Sequence, residues 1–170
     1  EGDVILPTPA VTDVCSENIE VDVTYPGGFV NDLKANTRIT LPVGNHLITY
    51  TAYDACLNSS QTTFTVKIED KTAPVVICKG EVVVGLNSNG EAYLLPKHID
   101  DGSFDGCGIG NMKVARMPLT GILHDSIFSE SVNFRCADAG KSIMVALKVT
   151  DVNNNSNSCM VNVTVQDKHA

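Results

Sequence analysis

Tryptophan is absent from this 170-residue chain, and aromatic residues make up only 5% of it. The chain also lacks an apolar run of the roughly 20 residues that a membrane-spanning helix needs. Basic residues are outnumbered, 12 against 20 acidic ones, and the formal net charge is −8. This balance excludes the basic face that nucleic acids and anionic membranes require. A core without tryptophan must be built mainly from Val, Ile and Leu, of which Val and Ile favour β-strands.

Catalytic motifs are missing as well. The four histidines are isolated in the sequence, and His46 is expected to be exposed beside a strand. The chain has neither a Gly-x-Ser-x-Gly elbow nor a Gly-rich phosphate loop after a strand. Asp100 and Asp101 do not form an acid–base pair, because adjacent residues of an extended chain point apart. The sequence therefore predicts a protein that is not an enzyme.

What the chain does contain is an internal repeat. Asp54-Ala-Cys-Leu-Asn58 returns as Asp151-Val-Asn-Asn-Asn155, and the strands that follow both motifs end in Asp-Lys at the same offset. A repeat of about 80–95 residues has the size of a domain and is too long for a solenoid unit. We therefore expect two copies of one small domain, residues 1–71 and 72–170, as a segment of a longer array.

Short strand patterns dominate both copies. Alternation and turn residues predict strands over residues 19–25, 47–53, 62–68, 81–86, 91–95, 112–117, 142–150 and 159–165. Residues 96–100 suit a single helical turn, and residues 118–134 are expected to cross irregularly, with His124 and Asp125 exposed. Short strands at this spacing predict two all-β sandwiches, joined through a short linker that Pro74 stiffens.

Six single cysteines, with no Cys-x-x-Cys spacing, indicate disulfide bonds in an oxidising compartment. In the first copy the pair Cys15–Cys56 follows by elimination. The second copy has four cysteines, which allow three connectivities. Because Cys78 lies in its first strand and Cys159 begins its last, we expect Cys78–Cys159, which leaves Cys107–Cys136.

Several motifs resemble the hyalin-repeat (HYR) domain, an immunoglobulin-like module of extracellular adhesion proteins. They are Thr12-Asp-Val-Cys15, the stretch from Leu41 to Asn58 and the closing stretch from Phe64 to Pro74. The second half is similar to a variant found in very large bacterial surface adhesins, through Ala73–Cys78, Ile99–Ile109, Phe134–Asp138 and Val149–Ser156. The family's usual glycine before Asn58 and Asn155 is replaced by Leu57 and Asn154. The resemblance implies two tandem immunoglobulin-like β-sandwich domains with an adhesive or scaffold role.

Oxygen-bearing residues cluster in the loops between strands. Asp101, Ser103 and Asp105, followed by Gly106, have the spacing that opens an EF-hand calcium loop, but the twelfth position is Met112 and no helices flank it. An acidic turn, capped and solvated, is the alternative. Asp151 and Asn155 add oxygens from the last hairpin, for which a polar turn is again a sufficient explanation.

Topology favours calcium over these alternatives. In an immunoglobulin-like sandwich both loops lie at the end where the chain enters, and that many carboxylates repel one another without a cation. We therefore expect Ca²⁺ where the domains meet, held by Asp70, Asp101, Ser103, Asp105, Asp151 and Asn155. Glu69 and Asp100 are weaker candidates. Asp13, Asp54 and Asn58 form the equivalent expected site of the first domain.

These observations predict an extracellular adhesin or stalk module, secreted or on the cell surface, stiffened by disulfides and Ca²⁺. Its expected partners are neighbouring repeats of the same long chain, together with cell-surface or filament partners. One alternative is a tip domain that binds carbohydrate or protein, although only nine Phe and Tyr residues are available for stacking on sugars. Another is a subunit module of an extracellular filament.

Overall fold

The structure is a computed structural model that describes residues 1–14, 18–117 and 125–167. Two compact units make up the chain, Glu1–Asp70 and Lys71–Ala170. Within the described residues, no helix has both the length and the apolar character that crossing a membrane requires.

Residues 1–14 and 18–70 of the first unit form six strands in two sheets. They are β1 (Gly2–Ile5), β2 (Glu20–Tyr25), β3 (Gly28–Val30), β4 (Arg38–Leu41), β5 (Gly44–Tyr53) and β6 (Ser59–Ile68). Strands β1 and β4 form an antiparallel pair, and the other four form an antiparallel sheet in the order β3-β2-β5-β6.

Alternation along the strands builds the core of the first unit. In β5, for example, Leu47 is exposed, whereas Ile48 and Tyr50 are buried, as the period of two requires. The residues buried together between the two sheets are Leu6, Val23, Leu33, Ile39, Leu41, Ile48 and Tyr50. Phe64 meets the Tyr50 ring edge-on at 5.3 Å between ring centroids, a favoured arrangement for aromatic pairs.

The part of the second unit that the structure describes, residues 71–117 and 125–167, also forms six strands in two sheets. They are β7 (Glu81–Leu86), β8 (Glu91–Leu94), β9 (Ile109–Arg116), β10 (Val132–Arg135), β11 (Ser142–Asp151) and β12 (Ser156–Asp167), with a single helical turn, α1 (Pro96–Ile99), after β8. Strands β8 and β10 pair, and the larger sheet has the order β7-β12-β11-β9. Strand β7 runs parallel to β12, and the other neighbours are antiparallel.

The core of the second unit is more completely buried. Phe134, Leu147 and Val163 are each 0% exposed and belong to a cluster that spans both sheets. A disulfide bond joins Cys78 to Cys159, which are 81 residues apart, and so ties the start of the unit to its last strand. Both units are thus immunoglobulin-like β-sandwiches, and the predicted fold class is confirmed.

The predicted cysteine pairs have different outcomes. Cys78–Cys159 is confirmed, but Cys107–Cys136 is wrong. Cys107 precedes β9 near the loop that follows β11, whereas Cys136 precedes the start of β11 at the opposite end of the sandwich. Cys15 lies outside the described residues, and its expected partner Cys56 is an exposed thiol.

Other expectations also need correction. His46 is buried, not exposed, and its Nε2 lies 2.7 Å from the carbonyl oxygen of Pro42. The segment expected to be irregular contains most of β10, which pairs with β8, although Asp125 is exposed as predicted and His124 lies outside the described residues. Strands β1, β3 and β4 lacked a recognisable pattern because each is only three or four residues long.

Candidate metal-binding loops

The loop between β11 and β12 is organised around one carboxylate. Asp151 Oδ1 accepts hydrogen bonds from the backbone N–H groups of Asn153 and Asn155, both at 2.8 Å. Its Oδ2 accepts a third bond, also 2.8 Å long, from Nδ2 of Asn155. Asp151 is only 3% exposed, so burial removes most of the hydrogen bonds that its carboxylate would make to water. The three donors of the loop replace those hydrogen bonds.

The first unit builds the same loop between β5 and β6. Asp54 Oδ1 accepts the backbone N–H groups of Cys56 and Asn58 at 2.8 Å, and Asn58 Nδ2 donates to Oδ2 at 2.7 Å. These hydrogen bonds, led by the one from the Asn58 side chain, hold the pKa of Asp54 below its usual range. The repeated Asp-x-x-x-Asn motif is therefore explained first as a device that shapes a hairpin loop.

One residue in each loop has a left-handed backbone. Leu57 has a φ of 67° and Asn154 a φ of 70°, at the two positions where the HYR pattern has glycine. Asparagine tolerates this conformation better than most residues, whereas a leucine Cβ crowds the backbone there. Leu57 is also 84% exposed, so no packing offsets the strain.

A second oxygen-rich loop connects α1 to β9. Asp105 Oδ1 accepts the backbone N–H groups of Cys107 at 2.7 Å and Gly108 at 3.2 Å. The backbone N–H of Ile77 donates to Ser103 Oγ at 2.9 Å. Asp101 is exposed and directs its backbone N–H, not its carboxylate, to Ile77. The EF-hand-like spacing thus serves turn formation in part and leaves the Asp101 carboxylate on the surface.

Asp100 shows how this loop tunes a carboxylate. Its partial desolvation acts to raise the pKa, but hydrogen bonds from Ser103 and Gly102 and the charge of Lys79 outweigh that effect. The pKa of Asp100 is therefore lowered, and the group stays ionised at neutral pH. Such a carboxylate retains the charge that a cation would need.

The two loops of the second unit meet at one end of the sandwich. The backbone N–H of Val152 donates to the carbonyl oxygen of Gly108 at 3.2 Å, and Asp151 pairs with Ile109 at the edge of β9. Asp105 and Asp151 therefore belong to adjoining loops, as the sandwich topology predicted. Ser103 and Asp101 lie along the segment that contacts Ile77, and Asp70 is the last residue of the first unit.

In the first unit, the three predicted ligands line one open depression of about 160 Å³. Asp13, Asp54 and Asn58 share it with Thr12, Ser59 and Ser60. Carboxylate, amide and hydroxyl oxygens are the donors that Ca²⁺ accepts, six to eight at a time. The donor chemistry of this depression fits a hard cation, although Asp54 also serves its own loop.

The sequence pattern predicted these residues as ligands but not the role of Asp54, Asp105 and Asp151 as acceptors for backbone N–H groups. The signal was present in the spacing. When an Asn follows an Asp by four residues in a hairpin loop, the Asp carboxylate can accept hydrogen bonds from both the backbone N–H and the side-chain amide of the Asn.

Comparison with known proteins finds a family match for the first unit. Residues 2–68 match the model of the HYR domain family, which confirms the resemblance noted for that half of the chain. A search of curated proteins finds no significant match.

Two solved structures show weaker likeness. The fibronectin(III)-like modules of Clostridium thermocellum CbhA align over 92% of this chain and 83% of theirs, with 11% identity and a TM-score of 0.36. The structure of PcdhgB3 EC1-4 in 50 mM HEPES aligns over 97% of this chain and 41% of its own, with 12% identity and a TM-score of 0.39. Both TM-scores are below 0.5, so neither likeness bears on function.

Proposed function

We propose that this chain is an extracellular, adhesion-type structural module that acts as a spacer between other parts of a longer protein, without catalysing a reaction. The observation that carries the proposal is the HYR match over residues 2–68. HYR domains are extracellular, and the Cys78–Cys159 disulfide suits an oxidising compartment. In each unit an Asp–Asn pair uses its side-chain hydrogen bonds to hold the last hairpin loop in shape, which suits a load-bearing module.

The test of this role is the native mass of the purified chain combined with its display on cells. A spacer is expected to be monomeric and to confer no adhesion of its own when it replaces an inert stalk of similar length. Assembly into filaments would instead favour the subunit role. Adhesion to glycan-coated or protein-coated surfaces would favour the tip-domain role.

We further propose that Ca²⁺ binds the loop oxygens, with Asp13, Asp54 and Asn58 as donors in the first unit and Asp101, Ser103, Asp105, Asp151 and Asn155 in the second. Support comes from the hard-oxygen donor set and from the lowered pKa of Asp54, which keeps that group charged. A contribution from Asp70, and any effect of Ca²⁺ on the angle between domains, stay sequence-based predictions that small-angle scattering with and without Ca²⁺ would test.

The variant Asp101→Asn separates calcium binding from loop stability, because the exposed Asp101 carboxylate makes no hydrogen bond among the contacts within the described residues. We expect Ca²⁺ to raise the melting temperature of the parent chain by mass action. Asp101→Asn should reduce that response in the second unit while leaving melting in chelator unchanged. Glu130→Gln, an exposed change outside the loops, is the matched control. An equal Ca²⁺ response in all three chains would refute the proposal for this unit.

A further inference from the structure

A groove between β7 and β8 runs along one side of the second unit. The two strands are joined by a turn that closes with a 2.9 Å hydrogen bond from the backbone N–H of Asn87 to the carbonyl oxygen of Glu91. Beyond this turn the strands enter different sheets, since β7 pairs with β12 and β8 pairs with β10. The space between them, which α1 also lines, has a volume of about 600 Å³. This volume lies within the range of small-molecule sites.

Three basic residues line the end of the groove beside α1, although the whole chain carries a net charge of −8. They are Lys79, Lys97 and His98. The Nζ of Lys79 donates a 3.1 Å hydrogen bond to the carbonyl oxygen of His98, which holds this ammonium group against α1. His98 Nδ1 accepts the backbone N–H of Leu95 at 3.2 Å, so a neutral His98 ring carries its proton on Nε2 and donates from there. This end therefore offers positive charge and N–H donors to an anion.

A neighbouring carboxylate does not cancel this charge. Asp100 feels the charge of Lys79, but its two oxygens accept the backbone N–H groups of Gly102 and Ser103 in the loop after α1. The side chains of Lys97 and His98 are exposed on α1. The α1 end thus keeps the charge of two lysines against that of one carboxylate.

The end of the groove beside the turn has a different chemistry. Tyr93 is 54% exposed, and its hydroxyl donates a 3.1 Å hydrogen bond to Glu91 Oε2. Asn87 Oδ1 accepts the backbone N–H groups of Asn89 and Glu91, which leaves the amide Nδ2 as the donor of this side chain. A carboxylate acceptor, an amide donor and an exposed aromatic ring are groups that receive the hydroxyls and the apolar ring face of a sugar.

The two ends together distinguish between anionic ligands. An acidic peptide carries carboxylates along its length, and Glu91 repels any that lie at the turn end. A neutral sugar leaves the lysines of the α1 end without a counter-charge. A sugar with hydroxyls at one end and an anionic group at the other matches both. Strand β8 has four residues and spans about 13 Å, which is long enough for a disaccharide.

We propose that the groove between β7 and β8 binds a short acidic saccharide. Its anionic group lies beside Lys79, Lys97 and His98, and its hydroxyls lie beside Glu91 and Asn87. The site goes beyond the spacer role and does not rest on it. Because one solvent-open groove leaves much of the sugar hydrated, binding to a single copy is weak, and one displayed chain is not expected to confer adhesion.

The experiment titrates digalacturonate into the isotope-labelled whole chain and follows the backbone amide resonances. We expect changes confined to residues 79–98, and a lower affinity at high salt because the attraction between lysine and carboxylate is screened. Lactose, which has hydroxyls but no charge, should bind more weakly than digalacturonate, and sulfated lactose should bind more tightly than lactose. The tighter of the two charged sugars identifies the anion.

Matched variants separate specific contacts from general charge. Lys97→Gln should weaken digalacturonate binding about fivefold or more. Lys113→Gln removes the same charge from β9, at the opposite edge of the larger sheet, and should bind as the parent chain does. Both lysines reach solvent, so both variants should keep the parent melting temperature. Tyr93→Leu removes the flat ring and should weaken lactose and digalacturonate alike.

Four outcomes would overturn the proposal. Millimolar digalacturonate shifts no amide resonance of residues 79–98; Lys113→Gln weakens binding as much as Lys97→Gln does, which would reduce the effect to general charge attraction; lactose binds as tightly as both charged sugars; or tetraglutamate binds as tightly as digalacturonate, which would make an acidic peptide the occupant.

Discussion

The last hairpin of each unit has the same register and the same Asp–Asn loop, but the two hairpins lie in different surroundings. In the second unit β7 covers the outer edge of β12 and the inner face of that strand is buried. In the first unit the corresponding residues of β6 are half-buried. Identical local geometry therefore does not produce identical burial, because burial depends on a strand distant in sequence from the hairpin.

The two units also differ in the connection that leads into the last hairpin, β4 to β5 in the first unit and β10 to β11 in the second. In the first unit only Pro42 and Val43 separate β4 from β5. In the second unit a longer connection places Asp138 against Arg116, with bonds of 3.1 Å and 2.5 Å from the two Nη atoms and a third from the Arg135 backbone. Together with the disulfide, these contacts should make the second unit more stable against unfolding than the first. We therefore expect the first unit to unfold first.

The largest expected effect comes from removing the disulfide. The double variant Cys78→Ala, Cys159→Ala should lower the free energy of unfolding of the second unit by about 2–5 kcal/mol, because the bond closes a long loop of the unfolded chain. Denaturant unfolding followed by residue-resolved hydrogen exchange would measure it. Cys56→Ala, an exposed thiol of the first unit, is the control. If the second unit still unfolds after the first, the disulfide is not what separates them.

Asp138→Ala should also destabilise the second unit, by less than loss of the disulfide. Loss of hydrogen bonds to a charged group costs about 1.5–3 kcal/mol, and the lower end applies here because the Arg116 side chain is 43% exposed. The Arg116 hydrogen bond is the main cause of the lowered pKa of Asp138. A lowered folded-state pKa gives stability that is present above the unfolded value of about 3.9 and is lost as pH falls through the folded value.

Unfolding of the second unit measured from pH 6 downwards would check this, and the acid-induced loss should be smaller in Asp138→Ala. Asp125→Ala is the control, because Asp125 pairs with Lys148 on the surface and its side chain is 87% exposed. An Asp125→Ala effect as large as that of Asp138→Ala would show that exposed ion pairs, not the connection, stabilise this unit.

The two loop aspartates provide a direct comparison between the units. Asp151→Ala should destabilise the second unit by about 1–3 kcal/mol, because it removes a carboxylate that is only 3% exposed and accepts the backbone N–H groups of Asn153 and Asn155. Asp54→Ala should cost the first unit less, since water can reach that loop and replace the carboxylate. Denaturant midpoints of both variants test this order, and equal losses would mean that burial does not set the cost.

The smallest expected effect is a gain. Leu57→Gly should stabilise the first unit by about 0.5–1 kcal/mol, because relief of left-handed strain exceeds the added flexibility of glycine in the unfolded chain. Asn154→Gly should leave the second unit nearly unchanged, since asparagine adopts this conformation readily. The melting temperatures of both variants, compared with that of the parent chain, would test this prediction. A loss of stability in Leu57→Gly would indicate that the leucine side chain has a contact worth more than the strain.

The long hairpin strands and the strand Glu81–Leu86 were predictable, because their alternation is a local property of the chain. The Cys78–Cys159 pair was predictable for a related reason, since Cys159 lies on the recognisable last strand β12, although Cys78 forms an isolated bridge before β7 and does not lie in a strand as expected. The short strands β1, β3, β4 and β10 were not, because three or four residues carry little periodicity, although β8, equally short, was predicted. Residues of the candidate loops were recognised, but their hydrogen bonds were not.

Local patterns in the sequence were sufficient to predict the all-β class, the repeat and the Asp–Asn loops, because strand alternation and turn chemistry act between residues close in the chain. The failure of Cys107 and Cys136 to meet, and the covering of the core faces, depend instead on the packing of elements distant in the chain. Cys107 and Cys136 are separated by the length of the sandwich, and Val163 is buried where Val66 is not because β7 packs beside one and not the other. These outcomes depend on elements brought together from distant parts of the sequence, which no local pattern records.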